Sequence, residues 1–368
     1  NKYQRKISHI IVDEAHCIDT WGNSFRTDYQ RLDTLRAILP NAKVVAMTAT
    51  ATKTTQKCIA KHLRFCANYY LVSASCDRPN LFYSVNKRSS HNSVNKTSED
   101  AYGEVLRPIL MELKVQNLYH TTANDVLMSL QQMQNNISLS KTSIFLQEKG
   151  RSFPKTVLFS KLKWCGYGHE LAFQIMGDEE LHCYTSNSQY TARLGQYHAP
   201  QVDALKQELS CIFKSPNSHV RLLLATEAYS MGTDAPDIRR VIHIGPPSTL
   251  ETYLQETGRA GRDGEHAEAI MYMNKSDIAS NVKHLSKEMK DFCTTSKCRR
   301  QTLMNYFEFE CVQPEPGHRC CDNCSKTCQC AECIIHKVFE TDFHLSTQES
   351  NEQIPAPRKA GLKWLHSC

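Results

Sequence analysis

Two arginines three residues apart, Arg259 and Arg262, lie in the run Gln255-Glu-Thr-Gly-Arg-Ala-Gly-Arg-Asp-Gly264. On a helix, side chains at that spacing share a face. Both guanidinium groups could then converge on a polyphosphate and stabilise the charge that grows on it during phosphoryl transfer, as an arginine finger does. An isolated pair of this kind is more often a solvated basic helix end. The interleaved glycines and the preceding Gln255-Glu256 favour the chemical reading.

A second group of reactive side chains follows a short apolar run, in His9-Ile-Ile-Val-Asp-Glu-Ala-His16. Such a run reads as a buried strand that stops at two carboxylates. In open α/β sheets the carboxyl end of a strand is where ligands bind. Asp13 there can hold Mg²⁺ through water, and Glu14 can orient or deprotonate an attacking water. Alone, the Asp-Glu pair would more often belong to a helix N-terminus.

Taken together these runs resemble the superfamily 2 helicases, and the residues around them narrow the resemblance to the RecQ family. Asp13-Glu-Ala-His-Cys-Ile-Asp-Thr-Trp-Gly-Asn-Ser-Phe-Arg26 looks like the RecQ DEAH box followed by its aromatic-rich loop. The resemblance implies that Trp21, Phe25 and Arg26 sense DNA, a role suited to rings that stack on unpaired bases and an arginine that takes a phosphate. Asn23 and Ser24 depart from the family's usual His-Asp. The same resemblance makes His16 a link between the DEAH carboxylates and the opposing lobe.

Ala46-Met-Thr-Ala-Thr-Ala51 resembles the family's TAT motif, with Thr48 and Thr50 linking the ATP site to DNA movement. Asp77-Arg-Pro-Asn-Leu81 resembles the junction into a second motor lobe. Leu222 to Arg239 looks like motif V, with Tyr229 and Ser230 in place of Phe and Gly. That match implies that Thr226 and the loop around Gly232 and Asp234 contact DNA backbone and nucleotide. Gln255 and Arg259 would register nucleotide state, and Arg262 would meet the γ-phosphate.

Cysteine supplies a third constellation. Nine of the 17 cysteines fall between Cys293 and Cys333, and with no signal peptide such a cluster points to metal binding in an intracellular protein. Four thiolates can wrap one tetrahedral Zn²⁺. The cluster resembles the RecQ zinc module, closest to the Werner-type branch with its adjacent Cys-Cys, and this implies Cys298, Cys320, Cys321 and Cys324 as ligands. His318 or Cys311 could replace Cys320. The spacing of Cys328, Cys330, Cys333 and His336 suggests a second site.

Strands at His9–Val12, Lys43–Met47, Thr156–Phe159, Arg221–Ala225 and Arg240–Ile244 must position these groups, with a helix from Ser248 to Arg262 after Pro246-Pro247. Tyr102–Val115 reads as helical, Ser89–Asp100 as a loop, and Val126–Met133 as a piece of helix in an insertion. The expected fold is α/β: two RecA-like lobes, the first incomplete, followed by a small helical zinc-binding domain. Residues 1–76 would belong to the first lobe and 77–275 to the second, with the insertion at about 88–152. Residues 276–333 would form a helical hairpin and zinc domain, and 334–368 a tail.

The 368 residues suffice for two or three domains, and 40% hydrophobic content allows ordinary cores. A net charge of +6 suits nucleic acid but is too modest to establish binding. No run of 18 apolar residues occurs, which excludes a conventional membrane-spanning helix. A G-x-x-x-x-G-K-[S/T] loop, which would cradle phosphates with backbone N–H groups and a lysine, is also missing. The chain starts at Asn1 inside what should be lobe one, so it reads as a partial sequence, inactive alone, with its P-loop upstream.

The expected activity, by resemblance, is ATP-dependent 3′–5′ helicase action on single-stranded and forked DNA, with ATP, Mg²⁺ and Zn²⁺ as cofactors, in the nucleus and in repair, recombination or replication. Two rivals are a non-catalytic, zinc-stabilised DNA-binding remnant and a related ATPase that remodels RNA or protein–DNA complexes.

Overall fold

The computed structural model describes residues 6–20, 29, 31–89, 97–114, 153–184, 190–216, 218–230 and 234–335. Strand β1 (His9–Val12) runs parallel to β2 (Lys43–Ala46), with His9 opposite Lys43 and Val12 opposite Ala46. Short helices α1 (Cys17–Thr20) and α2 (Asp33–Ile38) come between them in sequence. Helix α3 (Lys53–His62) starts where the Thr52 hydroxyl accepts from the Thr55 N–H, the usual satisfaction of an orphan donor at a helix start. Val12, Ala15, Ile18, Ile59 and Leu63 close a small core beneath.

The second lobe is a six-stranded sheet in the order β3 (Leu81–Lys87), β10 (Ala267–Met273), β9 (Arg240–Ile244), β4 (Thr156–Phe159), β8 (Leu222–Ala225), β7 (Leu194–Tyr197). Every pairing in it is parallel. Strands β5 (His182–Tyr184) and β6 (Tyr190–Ala192) pair separately, antiparallel.

A parallel sheet covered on both faces needs strands that are apolar at every position, and β4 and β8 are buried throughout. Alternation then sends Leu222 and Leu224 into one core with Leu158 and Ile242, and Leu223 and Ala225 into the other with Val157 and Val241. Helix α4 (residues 98–114) and α5 (Leu162–Leu181) cover the first face. Helix α6 (Asp203–Lys214), with Phe213, and helix α7 (Leu250–Thr257) pack on the second.

Helices α8 (Lys287–Thr294), α9 (Arg299–Phe307) and α10 (Asp322–Thr327), the last followed by a helical turn α11 at residues 331–335, carry the cysteines. Met289, Phe292, Leu303, Met304 and Phe307 share the core cluster of Leu81, Tyr83 and Ala269. The cysteine-bearing helices are therefore built onto the edge of the second lobe. Tyr83 of β3 bridges to Cys321, and its N–H donates to the Cys320 carbonyl at 3.4 Å.

The strands read from sequence hold to within a residue at their ends. The helix expected from Ser248 to Arg262 does not: it spans only Leu250–Thr257, capped by the Thr249 hydroxyl. Residues 258–264 form turns, with Gly261 at φ 57° and Gly264 at φ 87°, a left-handed backbone that ends helical geometry. The helix expected from Tyr102 starts earlier, at residue 98. The proposed helical piece Val126–Met133 lies outside the described residues, as does most of the insertion. No described helix is long and apolar enough to cross a membrane.

Candidate site between the lobes and candidate metal centre

Strand β1 delivers Asp13 and Glu14 to its carboxyl end. Asp13 is exposed there, and its carboxylate accepts the Glu14 N–H at 2.9 Å. Glu14 takes a left-handed φ of 48°, a conformation that costs a non-glycine residue energy and is held here by its surroundings. His16 is buried, with Nδ1 3.0 Å from the Thr48 hydroxyl and 3.4 Å from the Glu14 carboxylate. Thr50, also buried, donates its N–H to the Thr48 hydroxyl at 3.3 Å. Thr48, Thr50, His16 and the Glu14 carboxylate thus form one polar patch, with the Asp13 carboxylate beside it on the Glu14 N–H.

Charges from the second lobe reach this patch. Burial holds the His16 imidazole below its ordinary value, while Glu14, Glu251 of α7 and Asp13 pull it upward. Burial likewise lowers Arg259, reinforced by its neighbour Arg262 and opposed by Tyr229, Glu14 and Asp234.

The two arginines do not share a helical face. Arg259 is buried, at 7% exposure, and Arg262 lies outward, one third exposed, donating to Asp234 at 2.6 Å and to the Gly258 carbonyl at 3.3 Å. The hydrogen bond from Arg262 holds the Asp234 carboxyl below its usual range. Gln255 is half-buried on α7. Thr226 directly follows β8, its N–H donating to the Tyr197 carbonyl at 3.1 Å. Ser230 is buried, and its hydroxyl satisfies itself on the Glu227 carbonyl at 2.7 Å, so the serine at a usual glycine position causes no open polar group. Trp21, Phe25, Arg26 and Gly232 lie outside the described residues.

Sequence reasoning treated Asp77 to Leu81 as a junction only, yet its side chains hold the arginine loop. Arg78 donates to the carbonyls of Gly258, Ala260 and Gly261, and Asn80 to those of Gly261 and Glu265, both at 2.8 Å. A second missed pair, His243 Nε2 and Glu256 at 2.8 Å, is buried between β9 and α7 and ties that helix to the sheet. A cleft of about 1070 Å³ beside β2 is lined by Thr48, Tyr69, Val72, Phe307 and Phe309 among others. Of the site residues its lining includes Thr48 but lacks Asp13, Glu14, Arg259 and Arg262, so the carboxylates and the arginines lie elsewhere.

At the cysteine-bearing end, the sulfurs of Cys298, Cys320, Cys321 and Cys324 all lie within 4.8 Å of one another, with Cys298 and Cys320 at 3.5 Å. Cys298 caps α9 and Cys321 caps α10, so helix-start N–H groups point at sulfur: Gln301 N–H to Cys298 at 3.5 Å, Arg299 N–H to Cys321 at 3.4 Å and Cys324 N–H to Cys321 at 3.5 Å. Such donors favour thiolate over thiol. Hydrogen bonds from Cys298 and Cys320 hold Cys321 far below the ordinary thiol range, while burial pushes Cys324 up to about 12. Four convergent sulfurs, two of them at helix starts, fit a tetrahedral Zn²⁺. The alternatives offered for Cys320 fall away on geometry: Cys311 is not in the group, and His318 faces a different set of cysteines.

Comparison with known proteins agrees with this arrangement. The DEAD/DEAH box helicase family matches residues 1–58, the helicase conserved C-terminal domain residues 179–264, and the RecQ zinc-binding family residues 262–325. The chain is 30% identical to ATP-dependent DNA helicase Q1 of Mus musculus over 87% of this chain and 42% of that one. It is 28% identical to ATP-dependent helicase SGS1 of Saccharomyces cerevisiae, covering 87% of this chain and 19% of that one. A protein of Acanthamoeba polyphaga mimivirus, named as an ATP-dependent RNA helicase, is 29% identical over 93% of this chain and 51% of its own length. The chain thus spans about half or less of these curated relatives. Among solved structures, Mycobacterium smegmatis helicase Lhr bound to ssDNA and AMP-PNP has the same fold, with a TM-score of 0.51 at 14% identity over 86% of this chain and 33% of that one. With the DEAH-box module, the C-terminal helicase module and the RecQ zinc-binding module following one another along a parallel-sheet α/β fold, the chain belongs to the RecQ family of helicases.

Proposed function

We propose that the protein couples ATP hydrolysis to 3′–5′ movement on single-stranded DNA and to unwinding of forked duplexes, in nuclear DNA repair, recombination or replication. The observation that supports this reading is the polar group at the carboxyl end of β1, where His16 Nδ1 lies 3.0 Å from the Thr48 hydroxyl and 3.4 Å from the Glu14 carboxylate, together with the turn of the other lobe that carries Arg259 and Arg262. A nucleotide seated between them would meet an acid-bearing strand end on one side and a guanidinium loop on the other.

Each side chain then has a defined task. Asp13, exposed and hard, would hold Mg²⁺, which neutralises phosphate charge when bound. Glu14 orients and deprotonates the attacking water. Arg262 leaves Asp234 for the γ-phosphate as the lobes close, and Arg259 with Gln255 registers whether nucleotide is present. His16 carries that information to Thr48 and Thr50 through its 3.0 Å hydrogen bond. Trp21, Phe25, Arg26 and Thr226 contact DNA, and Gly232 and Asp234 belong to the loop that faces the nucleotide. Cys298, Cys320, Cys321 and Cys324 hold a structural Zn²⁺ that fixes α9 and α10. A division at residue 76 and at residue 275 follows the same reading, with α8 to α10 as the zinc-bearing unit.

The test is strand separation by the complete protein with ATP. Forked DNA with a 3′ single-stranded tail should be unwound, and blunt DNA or a 5′-tailed duplex should not. Preference for an RNA duplex, or tight DNA binding without any ATP turnover, would contradict the reading.

A further inference from the structure

Downstream of the first cysteine group the chain builds a second one. We propose that His318, Cys328, Cys330 and Cys333 form a second zinc site, separate from that of Cys298, Cys320, Cys321 and Cys324. This holds whatever the protein's motor activity. The sequence spacing pointed to His336 as the fourth ligand of these cysteines; the fold brings His318 there instead, and His336 lies outside the described residues.

The ligand atoms already stand at metal-binding separations. His318 Nδ1 lies 3.3 Å from the sulfurs of Cys330 and Cys333 and 3.8 Å from that of Cys328, and all four atoms fall within 4.8 Å of one another. A tetrahedron with Zn–S bonds near 2.3 Å and a Zn–N bond near 2.05 Å has N···S edges of about 3.6 Å and S···S edges of about 3.8 Å. Three thiolates and one imidazole are a ligand set that suits structural zinc. The other imidazole nitrogen, Nε2, faces the Glu332 carboxylate at 3.5 Å. That is the outer partner a metal-bound histidine ordinarily has, fixing its tautomer and ring orientation.

The two groups are interleaved along the chain, which tells what the second site does. His318 precedes Cys320 and Cys321, and Cys328 to Cys333 follow Cys324. A metal on the second group therefore closes a loop around α10, pinning residues 328–335 back onto the Gly317–Arg319 turn that leads into the first site. Cys328 is buried and Cys330 and Cys333 are half-buried, and one metal would tie the three thiols together.

Metal analysis by mass spectrometry on the purified full chain tests this. Two zinc ions per chain are expected, falling to one in His318→Ala and to one in Cys330→Ser. One zinc per chain in the unmodified protein overturns the proposal, as does a pair among Cys328, Cys330 and Cys333 found oxidised to a disulfide. Two zinc ions retained in His318→Ala would likewise reject the assigned ligand set. Cobalt substitution adds a readout that does not depend on the variants folding well. The unmodified protein should show overlapping S₄ and S₃N ligand-field bands, and a pure S₄ spectrum would overturn the proposal.

Discussion

Asp77 and Arg300 form a buried ion pair: a guanidinium nitrogen of Arg300 sits 2.5 Å from the Asp77 carboxylate, with the two side chains 0% and 4% exposed. Arg300 also donates to the carbonyls of Arg78 at 2.7 Å and of Leu81. The zinc-bearing helix α9 is thereby clamped to the very residues that hold the arginine loop. Removing one partner of a buried pair leaves the other charge uncompensated, which typically costs about 3–5 kcal/mol. Asp77→Ala should lose roughly that much unfolding free energy in a denaturant titration. A loss under about 1 kcal/mol would show that the clamp is not needed.

The arginine loop itself depends on a glycine. Gly261 has φ 57°, and a Cβ there would stand 2.5 Å from Asn80 Nδ2 and 2.8 Å from the Glu265 carbonyl. Gly261→Ala must push Asn80 out or shift the loop that carries Arg259 and Arg262. Misplacement of a catalytic group by about 1 Å can cost about a hundredfold in rate. Steady-state ATP turnover of the complete protein should fall at least tenfold, with DNA affinity little changed. Unaltered turnover would mean that the loop tolerates the shift.

His16 gives the pH dependence a definite sign. Its pKa is held below 6.5 mainly by burial, against the pull of Glu14, Glu251 and Asp13. As pH falls the unfolded chain takes up the proton first, so the stability contributed by neutral, buried His16 is intact above pH 6.5 and drains away below it, toward the folded value. His16→Gln, which cannot titrate, should lose this component. The stability difference between the two proteins, measured by denaturation at about pH 7.5 and about pH 5.5, should move against the unmodified protein on acidification. A constant difference would mean that His16 carries no such linkage.

Much of this arrangement was legible in the sequence because its signals are local. The apolar run ending in Asp13-Glu14 is a strand, though not the buried one its composition suggested, since Ile11 is 64% exposed, and β4, buried on both faces, reads as Thr156–Phe159 without error. The resemblance to the RecQ zinc module, with its adjacent Cys-Cys, named the four sulfurs that converge. The remainder depends on contacts between residues far apart in the chain. Asn80 meets Gly261 across 181 residues and Arg300 meets Asp77 across 223, and neither contact leaves a periodic trace. Strand β10, Ala-Glu-Ala-Ile-Met-Tyr-Met, has few β-branched residues and is a strand because β3 and β9 flank it. The three-residue spacing of Arg259 and Arg262 misled for a related reason: the helix ends at Thr257, with Gly258 as its C-cap, before either arginine is reached, and the left-handed Gly261 turns the chain between them.

Zinc removal should act on the whole second lobe, because α8 and α9 share its core. Stripping the metal with a strong chelator frees Cys298 and Cys321, the N-caps of α9 and α10, from their common centre. Structural zinc contributes folding energy directly, so Tm should drop by about 10 °C or more, with loss of helical circular dichroism. Restoring zinc should reverse both. An unchanged melting curve would argue that packing alone holds the helices.

ATP turnover and single-stranded DNA affinity, measured side by side for Arg262→Ala and the unmodified complete protein, test the proposed coupling most directly. Loss of an arginine finger costs roughly 10³-fold or more in turnover, and the proposed role of Arg262, paired with Asp234 in this structure, is on the γ-phosphate and not on DNA. Turnover should therefore collapse by that factor while DNA affinity stays nearly intact. A fall of less than tenfold, or a parallel loss of DNA binding, would contradict the role assigned to Arg262.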